Sequence, residues 1–224
     1  MNTRLVELQE RMMRKNDALA ASLRERFRGA GTLVVNLLSS PGSGKTTLLE
    51  ETLRRFSGTM RVGALVGDQA TQNDADRLAR SGAPVRQITT DAECRLDASM
   101  IERALTDWDP GRLDALFIEN VGNLICPAEY DLGEDLRVVL FSVTEGEDKP
   151  LKYPLAFNTS QVALLTKIDL AEATGFDRNA AAKSLQAVNP SMHVIEVSAR
   201  TGTGMETWLE LLQTWMREKA VVLR

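Results

Sequence analysis

Ser39-Ser40-Pro41-Gly42-Ser43-Gly44-Lys45-Thr46-Thr47 decides how this chain is read. The apolar run Leu33 to Leu38 ahead of it reads as a buried strand, and Leu48-Leu49-Glu50-Glu51-Thr52-Leu53 behind it reads as a helix. Strand, Gly-rich turn and helix is the setting a phosphate-binding loop requires. Backbone N–H groups curl around the phosphates there, with the positive end of the helix dipole behind them. Pro41, Gly42, Ser43, Gly44, Lys45, Thr46 and Thr47 are therefore expected to line a nucleotide. Lys45 would reach its β- and γ-phosphates, and the Thr46 hydroxyl would ligate Mg²⁺. The usual motif opens with Gly, whereas Ser39 stands here; that Gly serves a turn more than a phosphate contact. The competing reading is a chance Gly-Ser-Gly-Lys-Thr-Thr turn capping an ordinary helix, and the strand ahead and the loops below weigh against it.

The 224 residues suit one domain with a substantial core, and 43% hydrophobic with 26% charged residues is ordinary globular composition. A net charge of −4 argues against a general nucleic-acid binder, which would carry a basic face. No apolar run approaches the roughly 20 residues that cross a bilayer. Met1 to Glu10 has no apolar signal core, so the expected location is cytoplasmic. Two cysteines in such a compartment are poor candidates for a disulfide.

Residues 1–30 read as an N-terminal amphipathic helix, with Leu5, Leu8, Met12, Leu19, Leu23 and Phe27 roughly on one face. It is expected to pack on the flank of the domain formed by residues 31–224; a partner-docking arm is the alternative. From Thr32 onward, apolar runs alternate with helical patterns. Strands are expected over Thr32–Leu38, Val62–Val66, Val85–Ile88, Leu113–Ile118, Val138–Val143, Gln161–Leu165 and His193–Val197. Helices are expected over Thr46–Phe56, Asn73–Arg80, Asp97–Trp108, Asp177–Val188 and Gly204–Lys219. Unbroken apolar strands, each followed by a helix, predict a mainly parallel sheet covered on both faces. The fold class is thus α/β, a three-layer P-loop NTPase fold with an added N-terminal helix. His193 is the one histidine and reads as a packed core or edge residue.

Leu164-Leu165-Thr166-Lys167-Ile168-Asp169 selects the nucleotide. A carboxylate at a strand's C-terminal end accepts from guanine N1–H and its 2-amino group, donors that adenine lacks. A site built to bond such a donor rejects analogues without it by as much as about 10⁴. The Lys167 stem can lie along the base. GTPases usually have Asn at the position of Thr166; Thr keeps a hydroxyl but loses the amide that braces base loop to phosphate loop, so reduced affinity is expected. Val197-Ser198-Ala199-Arg200-Thr201-Gly202 fits a loop whose Ala199 N–H meets guanine O6, with Ser198 beside it. On the phosphate side, Val66-Gly67-Asp68 places Asp68 toward Mg²⁺ or a nucleophilic water. In Phe117-Ile118-Glu119-Asn120-Val121-Gly122-Asn123, Glu119 is a metal-side carboxylate and Gly122 can bring its N–H to the γ-phosphate. Lys45, Asp68 and Glu119 are the expected catalytic residues, and Thr46, Asp68 and Glu119 the magnesium set. The alternatives are a helix N-cap near Thr71 for Asp68 and a solvated loop carboxylate for Glu119.

Cys126 follows Gly122 by a few residues, and Cys94 precedes the Asp97 helix. Free cysteines are mostly inert core residues, and two thiolates are too few for a closed tetrahedral site. A two-fold dimer would present four sulfurs at one interface. Several stretches together resemble the HypB family, the hydrogenase nickel-incorporation GTPases of the SIMIBI class, related to urease accessory GTPases. They are Ser39–Leu49, Gly67-Asp68-Gln69 through Asp76, Cys94 through Ala98, Ile118 through Pro127, and Thr144-Glu145-Gly146-Glu147-Asp148-Lys149-Pro150-Leu151-Lys152-Tyr153-Pro154. The resemblance covers nearly everything after the first helix. It implies a GTP-dependent homodimer that handles nickel for hydrogenase assembly, with GTP or GDP and Mg²⁺ in the cleft. Cys94 and Cys126 would hold Ni²⁺ or Zn²⁺ at the dimer interface, and an accessory metallochaperone and an apo-hydrogenase are the implied partners. Lys149 and Lys152 would reach phosphates across the dimer. Two departures stand out: Arg95 occupies the position where the family typically has His, and the N-terminal cysteine cluster and His-rich tract of some members are absent. A chaperone of similar fold for another metalloenzyme or a cobalamin enzyme is the principal rival. A small-acceptor P-loop kinase and a metal-storage scaffold are more distant ones.

Overall fold

The computed structural model describes residues 3–68, 73–90, 93–106 and 113–221. The chain begins with α1 (Thr3–Ala30), β1 (Leu33–Ser39), α2 (Lys45–Phe56), β2 (Val62–Asp68), α3 (Asn73–Ala79), β3 (Val85–Thr89), α4 (Ala98–Ala104) and β4 (Ala115–Gly122). After a 3-10 turn at Cys126–Glu129 come β5 (Leu136–Ser142), α5 (Lys149–Lys152), α6 (Pro154–Asn158) and β6 (Val162–Thr166). A second 3-10 turn at Ile168–Leu170 precedes α7 (Arg178–Val188), β7 (His193–Val197) and α8 (Met205–Val221).

The strands form one sheet in the order β3-β2-β4-β1-β5-β6-β7, and every pairing is parallel. Alternation along β1 explains the three layers. Leu33, Val35 and Leu37 join Leu48, Leu53, Trp208 and Leu212 of α2 and α8 on one face. On the other face, Val34 packs with Phe27 of α1 and Ile101 of α4, and Leu38 packs with Phe157 of α6 and Leu185 of α7. The three-layer P-loop NTPase fold with its N-terminal helix is the architecture expected from the alternating apolar runs.

The differences are local. β4 continues past Ile118 to Gly122, because β1 goes on pairing with it although the apolar run has ended: Leu37 opposes Glu119 and, after a one-residue shift of register, Ser39 opposes Gly122. α4 stops at Ala104, short of the expected Trp108, which lies outside the described residues. α5 and α6 were not anticipated; each is one turn long, too short for a helical period, and each opens near a proline. In α1, Leu23 and Phe27 are buried, whereas Leu8 and Met12 are about half exposed. Asn16 ties this helix down by donating to the Asp131 carbonyl and accepting from Ala98 N–H, each at 2.9 Å. His193 sits exposed on the edge strand β7.

One buried polar contact joins α8 to α2: the Trp208 indole N–H donates to Thr52 Oγ1 at 3.0 Å. Thr52→Val removes that acceptor at nearly constant shape and leaves the indole N–H orphaned. Urea unfolding is expected to show a loss of about 1–3 kcal/mol.

Candidate functional site

Parallel pairing sends the C-terminal ends of β1, β2, β4, β6 and β7 to one edge of the sheet, and two joined hollows open there. The larger, about 560 Å³, is lined by residues 39–47 with Gly67, Asp68, Glu119 and Gly122. The smaller, about 270 Å³, is lined by Thr166, Lys167, Asp169, Ser198 and Ala199. Gly44, Thr47 and Lys167 border both, so the cleft is continuous. Every residue expected to meet nucleotide or magnesium from the sequence borders it.

The loop leaves β1 through Gly42 and Gly44, whose φ angles of 76° and 92° lie in the left-handed region open to glycine. Gly44 then caps α2. Ser39, standing where the motif usually has glycine, is buried and donates its hydroxyl to the Ser40 carbonyl at 2.8 Å. Gly122 lies so close to the loop that a Cβ there would stand 3.2 Å from Pro41 Cα.

Glu119 is the electrostatic centre of the larger hollow. Its side chain is only 3% exposed. Oε1 accepts the Thr46 hydroxyl at 2.7 Å and lies 3.5 Å from Lys45 Nζ, while Oε2 has no partner. Burial pushes this carboxyl up from its ordinary value; Lys45 and the Thr46 hydroxyl pull the other way and are outweighed. An orphaned carboxylate oxygen beside a threonine hydroxyl, with Asp68 bordering the same hollow, is a hard-oxygen donor set of the kind Mg²⁺ takes. The N-cap alternative for Asp68 concerns Thr71, which lies outside the described residues.

On the base side the structure corrects the expectation that Thr166 costs the cleft its brace. The Thr166 hydroxyl donates to the Ser43 carbonyl at 2.6 Å, and Lys167 Nζ donates to the Gly42 carbonyl at 2.6 Å. Two bonds therefore tie base loop to phosphate loop without the amide. Lys167 holds φ 57°, the one non-glycine left-handed residue among those described. Such a conformation costs on the order of 1–3 kcal/mol and persists where its surroundings over-determine it.

Three cleft-side residues escaped the sequence reading. Glu145 Oε2 lies 2.7 Å from the Ser43 hydroxyl and accepts Ser142 N–H at 2.8 Å, while its other oxygen pairs with Lys149 at 2.9 Å. The stretch around it had been quoted, but nothing in one sequence places it against Ser43. Arg77 borders the larger hollow, donating to Glu50 at 2.7 Å and Thr47 at 3.1 Å, and Asp74 borders it too. Lys149 is mostly buried under its pairing with Glu145 and over the Tyr153 ring; Lys152 is exposed and pairs with Asp148. Neither lysine borders the cleft of its own chain.

Cys94 and Cys126 come together as a disulfide, with Cα atoms 6.3 Å apart. That corrects the expectation of two unpaired thiols: Cys94 lies beyond β3 and Cys126 beyond β4, strands that flank β2 on either side, and the two segments meet although 32 residues separate the cysteines. A disulfide sulfur is not a thiolate, so metal ligation by this pair requires the reduced form. Among the described residues no cluster of three or more His, Cys, Asp or Glu side chains is placed to hold a metal ion. Arg95 stacks on Tyr130, 4.0 Å from the ring centroid, and pairs with Glu93 at 3.0 Å. Leu96 lies fully buried against Gly67, where an added Cβ would meet it at 2.8 Å.

The family model for the CobW/HypB/UreG nucleotide-binding domain matches residues 33–196. The hydrogenase maturation factor HypB of Escherichia coli (strain K12) is 46% identical over 211 residues, spanning 94% of this chain and 73% of its own. The chain belongs to the HypB family. Its fold superposes on HypB from Archaeoglobus fulgidus with a TM-score of 0.84 at 40% identity, covering 90% of this chain and 98% of the other. HypB from Helicobacter pylori in complex with nickel gives a TM-score of 0.86 at 40% identity, covering 91% of this HypB-family chain and 96% of the other. Among the described residues no helix is long and apolar enough to cross a membrane.

Burial of Glu119 has a sign that can be measured. Its pKa is raised in the folded chain, so the folded state holds that proton more tightly than the unfolded one. The resulting stabilisation is full below the ordinary value of 4.5 and is lost as pH rises through the raised value. Glu119→Gln is expected to abolish this loss. Melting of the nucleotide-free proteins should show wild type losing ground to the variant from pH 4.5 until the raised value is passed, and a constant difference above it.

Proposed function

We propose that this chain is a GTP-hydrolysing maturation factor whose nucleotide state governs a metal site shared by two subunits, and that its cargo is nickel for a hydrogenase. The observation that carries the GTP reading is Asp169 on the smaller hollow, which it lines together with Lys167 and Ala199 and which is continuous with the phosphate loop. Asp169 accepts from the guanine ring and Ala199 N–H donates to its O6. Residues 31–224 form the nucleotide domain, with 1–30 as a flanking helix.

In the cleft, the amides of Gly42 to Thr47 and the Lys45 ammonium hold the phosphates. Thr46, Glu119 and Asp68 hold Mg²⁺, which supplies charge compensation for phosphoryl transfer. Asp68 orients the attacking water, and Gly122 N–H senses the γ-phosphate. Glu145 keeps Ser43 in place and Lys149 in reserve, so that in a dimer Lys149 is available to the partner's phosphates.

The cysteine pair is the cargo end. Each chain offers two sulfurs and no third ligand among its described residues, which favours a site completed by a second copy. Four thiolates suit Zn²⁺ or Ni²⁺. The cargo assignment is supported by the likeness to HypB in complex with nickel. On this reading the protein works in the cytoplasm as a GTP-dependent homodimer, receiving metal from an accessory metallochaperone and passing it to apo-hydrogenase.

Nucleotide choice tests the reading. Wild type should prefer GTP over ATP by as much as about 10⁴, because ATP leaves the Asp169 carboxylate unpaired. Asp169→Asn should move the preference to xanthosine triphosphate, whose ring exchanges the donor and acceptor. Equal binding of ATP and GTP by wild type in equilibrium titration overturns the proposal.

A further inference from the structure

Gly122 stands near two asparagines, and both are tied to the segment that carries Cys94. Asn120 is buried, and its Oδ1 accepts the N–H of Leu96 at 3.3 Å and of Val121 at 3.0 Å. Its Nδ2 donates to Asn36 Oδ1 at 3.3 Å, and Asn36 donates to Glu134 at 3.2 Å. Asn123 donates from Nδ2 to the Cys94 carbonyl at 3.3 Å and accepts Ile125 N–H at 2.9 Å. One amide thus spans the backbone of Cys94 and the residue just before Cys126. The same asparagine forms an isolated β-bridge with Ser39, where the phosphate loop begins.

The bonds to Leu96, Asn36, Glu134 and the Cys94 carbonyl run between segments, while those to Val121 and Ile125 N–H hold each asparagine to its own loop. The amides of Asn36 and Asn120 are buried, so a partner lost there has no water to replace it; Asn123 is half-buried and links this buried pair's strand end to the Cys94 segment. A shift of Gly122 toward a γ-phosphate displaces Asn123 directly, and Asn123 cannot move without pulling on the Cys94 carbonyl. When the cysteines are reduced, the same amide still holds both sulfur-bearing segments, so the thiols remain a pair without their covalent link.

We propose that Asn123, backed by Asn120, is the positioning residue that carries the nucleotide state from Gly122 to the Cys94–Cys126 pair. This rests on the metal-switch reading above and names how that switch is wired. Asn123 touches neither nucleotide nor metal in this scheme; it acts through the backbone of the residues that do.

The test uses full-length protein kept reduced with a non-chelating phosphine. Ni²⁺ is titrated calorimetrically into the Mg²⁺–GDP form and into the Mg²⁺ form with a non-hydrolysable GTP analogue. Wild type is expected to show nickel affinities that differ by about tenfold between the two, a typical coupling between linked sites. In Asn123→Ala the ratio is expected to fall to about one, with GTP affinity and turnover unchanged, because linkage is lost without loss of either site. Asn123→Asp is nearly isosteric, keeps the acceptor for Ile125 and loses the donor to Cys94; it should show the same collapse. Either variant with the wild-type ratio overturns the proposal and leaves the switch standing. A wild-type protein whose nickel affinity ignores the nucleotide overturns the switch and this proposal with it.

Discussion

Parallel pairing of β1 with both β4 and β5 is the constraint on which the rest depends. It seats the phosphate loop at the middle of the sheet and brings the loops beyond β2, β4, β6 and β7 to the same edge. β1 is buried along its whole length, so its register is fixed by packing on both faces. The carboxylate of Glu119 is then delivered beside Thr46 by strand pairing, at a depth no surface loop could reach. A charge placed so deep is costly, and Lys45 beside it offsets only part of the burial that pushes this carboxyl up.

Much of this was legible in the chain. The five inner strands announced themselves as apolar runs, since strands covered on both faces have no polar alternation to hide them, while the edge strands β3 and β7 showed shorter apolar signals broken by Arg86, Gln87 and Glu196. Helices α2, α7 and α8 showed the longer period of amphipathic segments. The end of β4 was missed because Glu119, Asn120 and Gly122 break the run while the ladder to β1 continues: pairing overrode local composition there. The one-turn helices α5 and α6 carry too few residues for any period to show.

The site divides along the same line. Residues belonging to contiguous loops, from Pro41 to Thr47 and from Thr166 to Asp169, were found because spacing along the chain is itself the signal. Arg77 and Asp74, which border the cleft, and Glu145, which contacts Ser43 of the phosphate loop, were not, because they come from elements whose placement only the folded sheet defines. The brace from Thr166 belongs to this second kind. A hydroxyl can do the work of an amide when the carbonyl of Ser43 lies within 2.6 Å, and no sequence reports that distance. The disulfide between Cys94 and Cys126 is another case, since the compartment argument addressed redox environment and had nothing to say about proximity.

Gly67 gives this arrangement a steric consequence. It is the penultimate residue of β2, immediately before Asp68, and its missing side chain is the space that Leu96 fills. Leu96 in turn lies two residues from Cys94 and is fully buried. Any substitution at position 67 inserts a carbon where the leucine methyls already are, and the leucine cannot retreat into solvent. The displacement would register on both sides of the strand end, at the carboxylate of Asp68 and at the cysteine loop. A single hydrogen atom in place of a side chain at position 67 is thus what lets the strand end that carries Asp68 and the loop that carries Cys94 pack as close as they do.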